Sequence, residues 1–137
     1  MKRHIMIGLL TMLVLIPAVE AFSAPSWIMD FPFAPNTSAL TFELIVTNLT
    51  NTPVQLTVNT VPTGGPVIPL TATIPAYNII GYHPTDPEVG CPAGTACRIQ
   101  LIYSGGATPV FGALLSIMTP AGQEDGYVAP TFNGATP

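Results

Sequence analysis

From Leu40 onward, in runs separated by polar, Pro- and Gly-containing turns, apolar residues return at nearly every second position, and that period leaves little room for anything but sheets with one buried face. Leu40, Phe42, Leu44 and Val46 fall on one side of a predicted strand, with Thr41, Glu43, Ile45 and Thr47 on the other. Asn48-Leu-Thr-Asn-Thr-Pro53 then reads as a polar turn, because Asn and Thr side chains bond nearby backbone and Pro53 lacks the amide that a central strand needs. Val54, Leu56 and Val58 resume the inward set against Gln55, Thr57 and Asn59, which completes a hairpin. Further strands are predicted over 67–74, 77–82, 98–103 and 110–118, the last nearly apolar on both faces. No stretch joins helical periodicity to capping residues, so the fold class is all-β.

Counting 27–33 as an edge strand interrupted by Pro32 gives about seven short strands, enough for a two-layer antiparallel β-sandwich over 22–118. Pro25, Pro32 and Pro35 confine residues 22–35 to an N-terminal arm or an edge strand. Residues 119–137 are rich in Pro and Gly and read as a flexible tail.

The first residues predict export. Met1-Lys-Arg-His supplies a positive start, 5–16 is almost purely apolar, Pro17 breaks the run, and Val19-Glu-Ala21 places small residues where a signal peptidase reads, so 1–21 is expected to be a secretory signal peptide. The apolar run is shorter than the roughly 20 residues that span a bilayer. Cleavage after Ala21 leaves a chain with no Lys and a single base, Arg98, against Asp30, Glu43, Asp86, Glu88, Glu124 and Asp125. Binding to phosphate backbones or anionic lipid needs clustered bases, so no nucleic-acid partner and no membrane insertion of the mature chain are expected. Cys91 and Cys97 are the only cysteines, and in an exported chain they are expected to form a disulfide. Periplasm, cell surface and extracellular medium all fit.

The segment Phe42-Glu-Leu-Ile-Val-Thr-Asn-Leu-Thr-Asn-Thr-Pro-Val-Gln-Leu-Thr-Val58, with Ala72-Thr-Ile-Pro-Ala76 after it, resembles the second and third strands and the later proline bend of bacterial immunoglobulin-like domains. The kinds meant are the cell-adhesion-related and conserved-repeat domains of exported and surface proteins, and the resemblance covers about half of the mature chain. It implies an immunoglobulin-like sandwich and a non-catalytic extracytoplasmic module used for spacing, assembly or adhesion. The chain departs from antibody domains in lacking their Cys-Trp-Cys core, since both cysteines share one loop, and it shows no internal repeat.

Catalytic chemistry has little to build on. Once His4 is removed His83 is the only histidine, and Ser104 lies in Tyr-Ser-Gly-Gly rather than a nucleophile elbow. His83, Asp86 and Glu88 are too few for calcium or for a zinc set, and Glu124 and Asp125 are adjacent rather than opposed across a cleft. The expectation is therefore no enzyme and no cofactor. Two glycosylation sequons, Asn36-Thr-Ser38 and Asn48-Leu-Thr50, are read as chance occurrences.

Two surfaces are expected to bind partners. The first is a flat, uncharged strand face carrying Gln55, Thr57, Asn59, Arg98 and Gln100 beside Leu114 and Ser116. The second is the N-terminal arm, whose Trp27, Phe31 and Phe33 are large enough to anchor in a neighbouring copy. The expected function is an exported structural or interaction module of the bacterial cell envelope or surface, bound to a protein partner or to itself. The alternative is a carbohydrate-binding module that stacks sugars on Trp27 or an exposed tyrosine.

Overall fold

A computed structural model describes residues 26–106 and 110–133, the side chains of residues 132 and 133 excepted. Nine strands run through them: β1 (Trp27–Asn36), β2 (Thr41–Asn48), β3 (Val54–Pro62), β4 (Ile68–Ile74), β5 (Ile79–Tyr82), β6 (Thr95–Tyr103), β7 (Phe111–Met118), β8 (Glu124–Val128) and β9 (Thr131–Asn133). They form two antiparallel sheets, ordered β4-β3-β6-β1-β9 and β5-β2-β7-β8, and the described residues contain no helix. The signal segment 1–21 lies outside the described residues.

The inner faces carry the alternation of the sequence into one shared core. Phe42, Leu44, Val46 and Leu115 from the smaller sheet meet Phe31, Leu56, Val58, Ile99 and Leu101 from the larger one, all essentially without solvent exposure. Burying each large side chain of this set contributes roughly 1.5–3 kcal/mol, so the face-to-face contact of the sheets is the main source of stability.

Three expectations are corrected. Residues 27–36 are neither an arm nor an edge: β1 pairs with β6 from Trp27↔Tyr103 to Asn36↔Thr95 and with β9 on its other side. The prolines are tolerated because a bulge sets Pro32 and Phe33 against the single residue Arg98, releasing the ladder where Pro32 has no amide to give. Phe31 is fully buried, Trp27 is half-buried and Phe33 is exposed, so the supposed anchor residues are divided between core and surface. Next, β7 does not join β3 and β6. Both edges of β6 are occupied, by β3 and β1, and β7 pairs with β2 and β8 instead. Leu114 and Ser116 therefore lie on the other sheet. Finally, 119–137 is not simply a tail, since β8 and β9 fall within it. Its prolines punctuate rather than dissolve structure: Pro120 sits in the turn where Gly122 takes φ +76° and bonds back to Thr119, and Pro130 separates β8 from β9.

Cys91 and Cys97 are joined by a disulfide with Cα atoms 6.2 Å apart, and both are buried. The bridge ties the start of β6 to the loop after β5. That loop is also held by Asn36 Nδ2 donating to the Cys91 carbonyl at 2.7 Å and by the Thr60 hydroxyl donating to the carbonyl of fully buried Val89. Replacing both cysteines by Ala is expected to cost about 2 kcal/mol through the freed unfolded chain, read as a lower urea midpoint. An unchanged midpoint would show that the loop's hydrogen bonds alone hold it.

Candidate functional site

The outer face of the five-stranded sheet presents most of the residues expected there. Antiparallel register lines up Pro69, Asn59, Gln100, Asp30 and Thr131 in one row across all five strands. Gln55 and Thr57 stand exposed farther along β3, while Asn59 and Gln100 are half-buried between neighbours. Because side chains alternate across a strand, the same hydrophobic set that fills the core forces these amides and hydroxyls outward.

Arg98 is on this face but is not a free cation. Its Nε donates to Asp30 at 2.8 and 3.0 Å, Nη2 closes the fork, and only 8% of the Asp30 side chain remains exposed. Asp30 raises the guanidinium pKa further, by hydrogen bonding first and charge second. The β1 bulge makes the pair: with no single residue opposite it, Arg98 reaches diagonally to the Asp beside Gln100. Arg98, the only Lys or Arg among the described residues, is thus cancelled in place, and the face it sits in is electrically quiet.

One end of this sheet opens into a groove of about 420 Å³. Its walls come from β3, β4 and the end of β6, flanked by Thr50 and Thr52 of the β2–β3 connection and by Gly105 and Val110; Gln55, Thr57, Thr71, Ile102, Tyr103 and Ser104 line it. None of the residues recorded along it is charged. The half-buried Tyr103 ring lies over Gly105, where a Cβ would collide with it. Gln55 and Thr57 thus belong both to the outer face and to the groove.

The remaining candidates are dispersed. Among the described residues no group of three His, Cys, Asp or Glu could hold a metal ion. Asp86 is committed to its own loop, accepting from the His83 amide at 2.7 Å, and His83 is exposed. Tyr82, buried at the end of β5, has its phenol pKa raised by burial first and then by the carboxylates of Glu88 and Asp86. The unfolded chain therefore releases that proton first, and stability should fall as pH rises above about 10. Tyr82→Phe is expected to flatten this alkaline decline, measured as urea midpoints at successive pH values; an unaltered slope would exclude Tyr82 as its source. Asn48 is buried with every side-chain polar atom bonded, which withdraws the Asn48 sequon from any modification of the folded chain.

Sequence reasoning missed Asp30, Thr71 and Tyr103 as site residues. Asp30 had a signal, an acid set alone within the apolar run Trp27-Ile-Met-Asp-Phe. Thr71 and Tyr103 had none, because their nearness depends on β3 lying between β4 and β6.

No family model matches the chain. No curated protein matches it. Among solved structures, the crystal structure of Thermotoga maritima 1070 is similar with a TM-score of 0.51 and 11% identity, covering 84% of this chain and 95% of that one. At that identity the likeness speaks for the fold alone.

Proposed function

We propose that the chain is a non-catalytic module exported to the bacterial cell envelope or surface, and that it works by binding a protein partner or a second copy on an immunoglobulin-like scaffold. The observation that carries this reading is the outer face of the larger sheet: amides and hydroxyls of Gln55, Thr57, Asn59 and Gln100, with Arg98 neutralised by Asp30. A field of amides and hydroxyls without net charge suits specific docking better than acid–base work, which needs ionisable groups set against one another. Export is supported by the apolar N-terminal segment and is compatible with the disulfide.

The test is site-specific photo-crosslinking in the producing cells, with the crosslinker at Asn59 or, on the opposite sheet, at Thr41. Adducts from Asn59 and not from Thr41 support the reading, with a doubled mass marking self-association. Equal adducts from both sites, or none, would overturn it. A second reading, carbohydrate binding, is favoured by the uncharged groove at the end of the same sheet.

A further inference from the structure

We infer that this groove is a binding site for a neutral oligosaccharide, with Tyr103 as the stacking surface and Gln55 and Thr71 as hydrogen-bonding walls. This rests on the carbohydrate reading just given and names its site and ligand class. A volume of about 420 Å³ falls in the roughly 300–1,000 Å³ range of small-ligand clefts, room for a short run of sugar rings.

The lining chemistry selects the ligand. Sugar hydroxyls are each donor and acceptor, and the groove answers with groups of the same kind: the Gln55 amide and the hydroxyls of Thr57, Thr71 and Ser104. Ile102 and the Tyr103 ring supply apolar surface for the C–H face of a ring, and a tyrosine can offer that surface while its hydroxyl stays wet. Acidic sugars are disfavoured, because the net charge is negative and Arg98, the only Lys or Arg among the described residues, is tied to Asp30. The carbohydrate platform is thereby reassigned: Trp27, the Cα partner of Tyr103 on the adjacent strand, is half-buried and is not part of the groove lining, so it stands beside the platform.

A second observation points to the same end of the molecule. Tyr77 is the one described residue other than Gly with positive φ, at +48°, and it is 73% exposed. Left-handed backbone is strained for a non-glycine residue, and Gly would remove that strain. The Tyr77 amide donates at 2.9 Å to the carbonyl of Thr50, a residue of the groove wall. A strained, exposed aromatic of the β4–β5 turn is thus anchored by its backbone to the β2–β3 connection that borders the groove, and backbone strain clusters at ligand sites.

The experiment is titration of the mature, oxidised protein with neutral gluco-, manno-, xylo- and N-acetylglucosamine oligosaccharides, uronic-acid oligomers, and a proline-rich peptide. Binding is followed by calorimetry and by Trp27 fluorescence, Trp27 being the only tryptophan. A neutral oligosaccharide should bind, with at least tenfold loss in Gln55→Ala, Thr71→Val and Tyr103→Ala. Tyr77→Gly should bind more weakly while melting at a higher temperature, a combination that loss of folding cannot produce. Because Tyr103 also packs against the core, the exposed Gln55 and Thr71 variants carry the decision if Tyr103→Ala fails to fold. No neutral sugar bound at millimolar concentration, a preference for uronic acids or the peptide, or binding indifferent to Gln55 and Thr71 would each overturn the assignment. Crosslinking at Asn59 is outside the groove lining, so the protein-partner reading stands or falls separately.

Discussion

Asn48→Asp is expected to destabilise the sandwich by about 3–5 kcal/mol, a large part of the 5–15 kcal/mol that holds a domain folded. Asn48 is 2% exposed, and its Nδ2 faces three carbonyl oxygens, of Thr52 at 2.7 Å and of Ile74 and Pro75 at 3.0 Å. Its Oδ1 accepts from the amide and the hydroxyl of Thr50. One side chain therefore clamps the end of β2, the β2–β3 turn and the β4–β5 turn, joining the two sheets at that pole. Asp would set a carboxylate against the three carbonyls, with the charge out of reach of water. Asn48→Ala removes the donors without adding charge and should cost about 2–3 kcal/mol. Urea unfolding followed by tryptophan fluorescence checks both. If Asp costs no more than Ala, the carbonyl cluster is not the reason for the loss.

Removing residues before Asn36 should abolish folding altogether. The cut takes away most of β1, which pairs with β6 and β9 and brings Met29, Phe31 and Ala34 into the core. Phe31→Ala alone should cost about 3–5 kcal/mol. Circular dichroism and gel filtration of the truncated chain make the check. A folded truncation that has merely lost an oligomeric form would restore the view of 22–35 as an arm between subunits.

The two-residue period was legible wherever one face of a strand meets the core and the other meets water. It showed β2 and β3 with the correct residues inward and placed the strand β6. It misjudged β1 because Pro32 and Pro35 look like edge signals, and a bulge that absorbs Pro32 leaves no mark in composition. It missed β8 and β9 because Glu124-Asp-Gly-Tyr-Val128 and Thr131-Phe-Asn133 are short strands between prolines. For the candidate site, Gln55, Thr57, Asn59, Arg98 and Gln100 were placed on one face from β3 and β6 alone. The groove was not visible, since its Thr71 and Tyr103 are brought near Gln55 only by strand order. Asn48 read as an ordinary turn residue, because nothing local reveals that the carbonyls of Ile74 and Pro75 will point at it.

The pairing of β1 with β9 has a mechanical consequence. Ile28 is the Cα partner of Asn133, so the backbone enters the sandwich and leaves it side by side. A load applied between these two points would peel the β1–β9 pairs open one after another, as a zipper opens, rather than shear them all together. The same geometry separates the entry and exit points by about one strand spacing, roughly 5 Å, whatever the size of the body between them. Threaded into a longer polymer, such a body lengthens the thread by almost nothing and hangs from it as a pendant. Of the roles that the immunoglobulin-like resemblance implies, a rod-like spacer is the one this geometry serves worst. Assembly or adhesion, with a face displayed to the side of the thread, is served better.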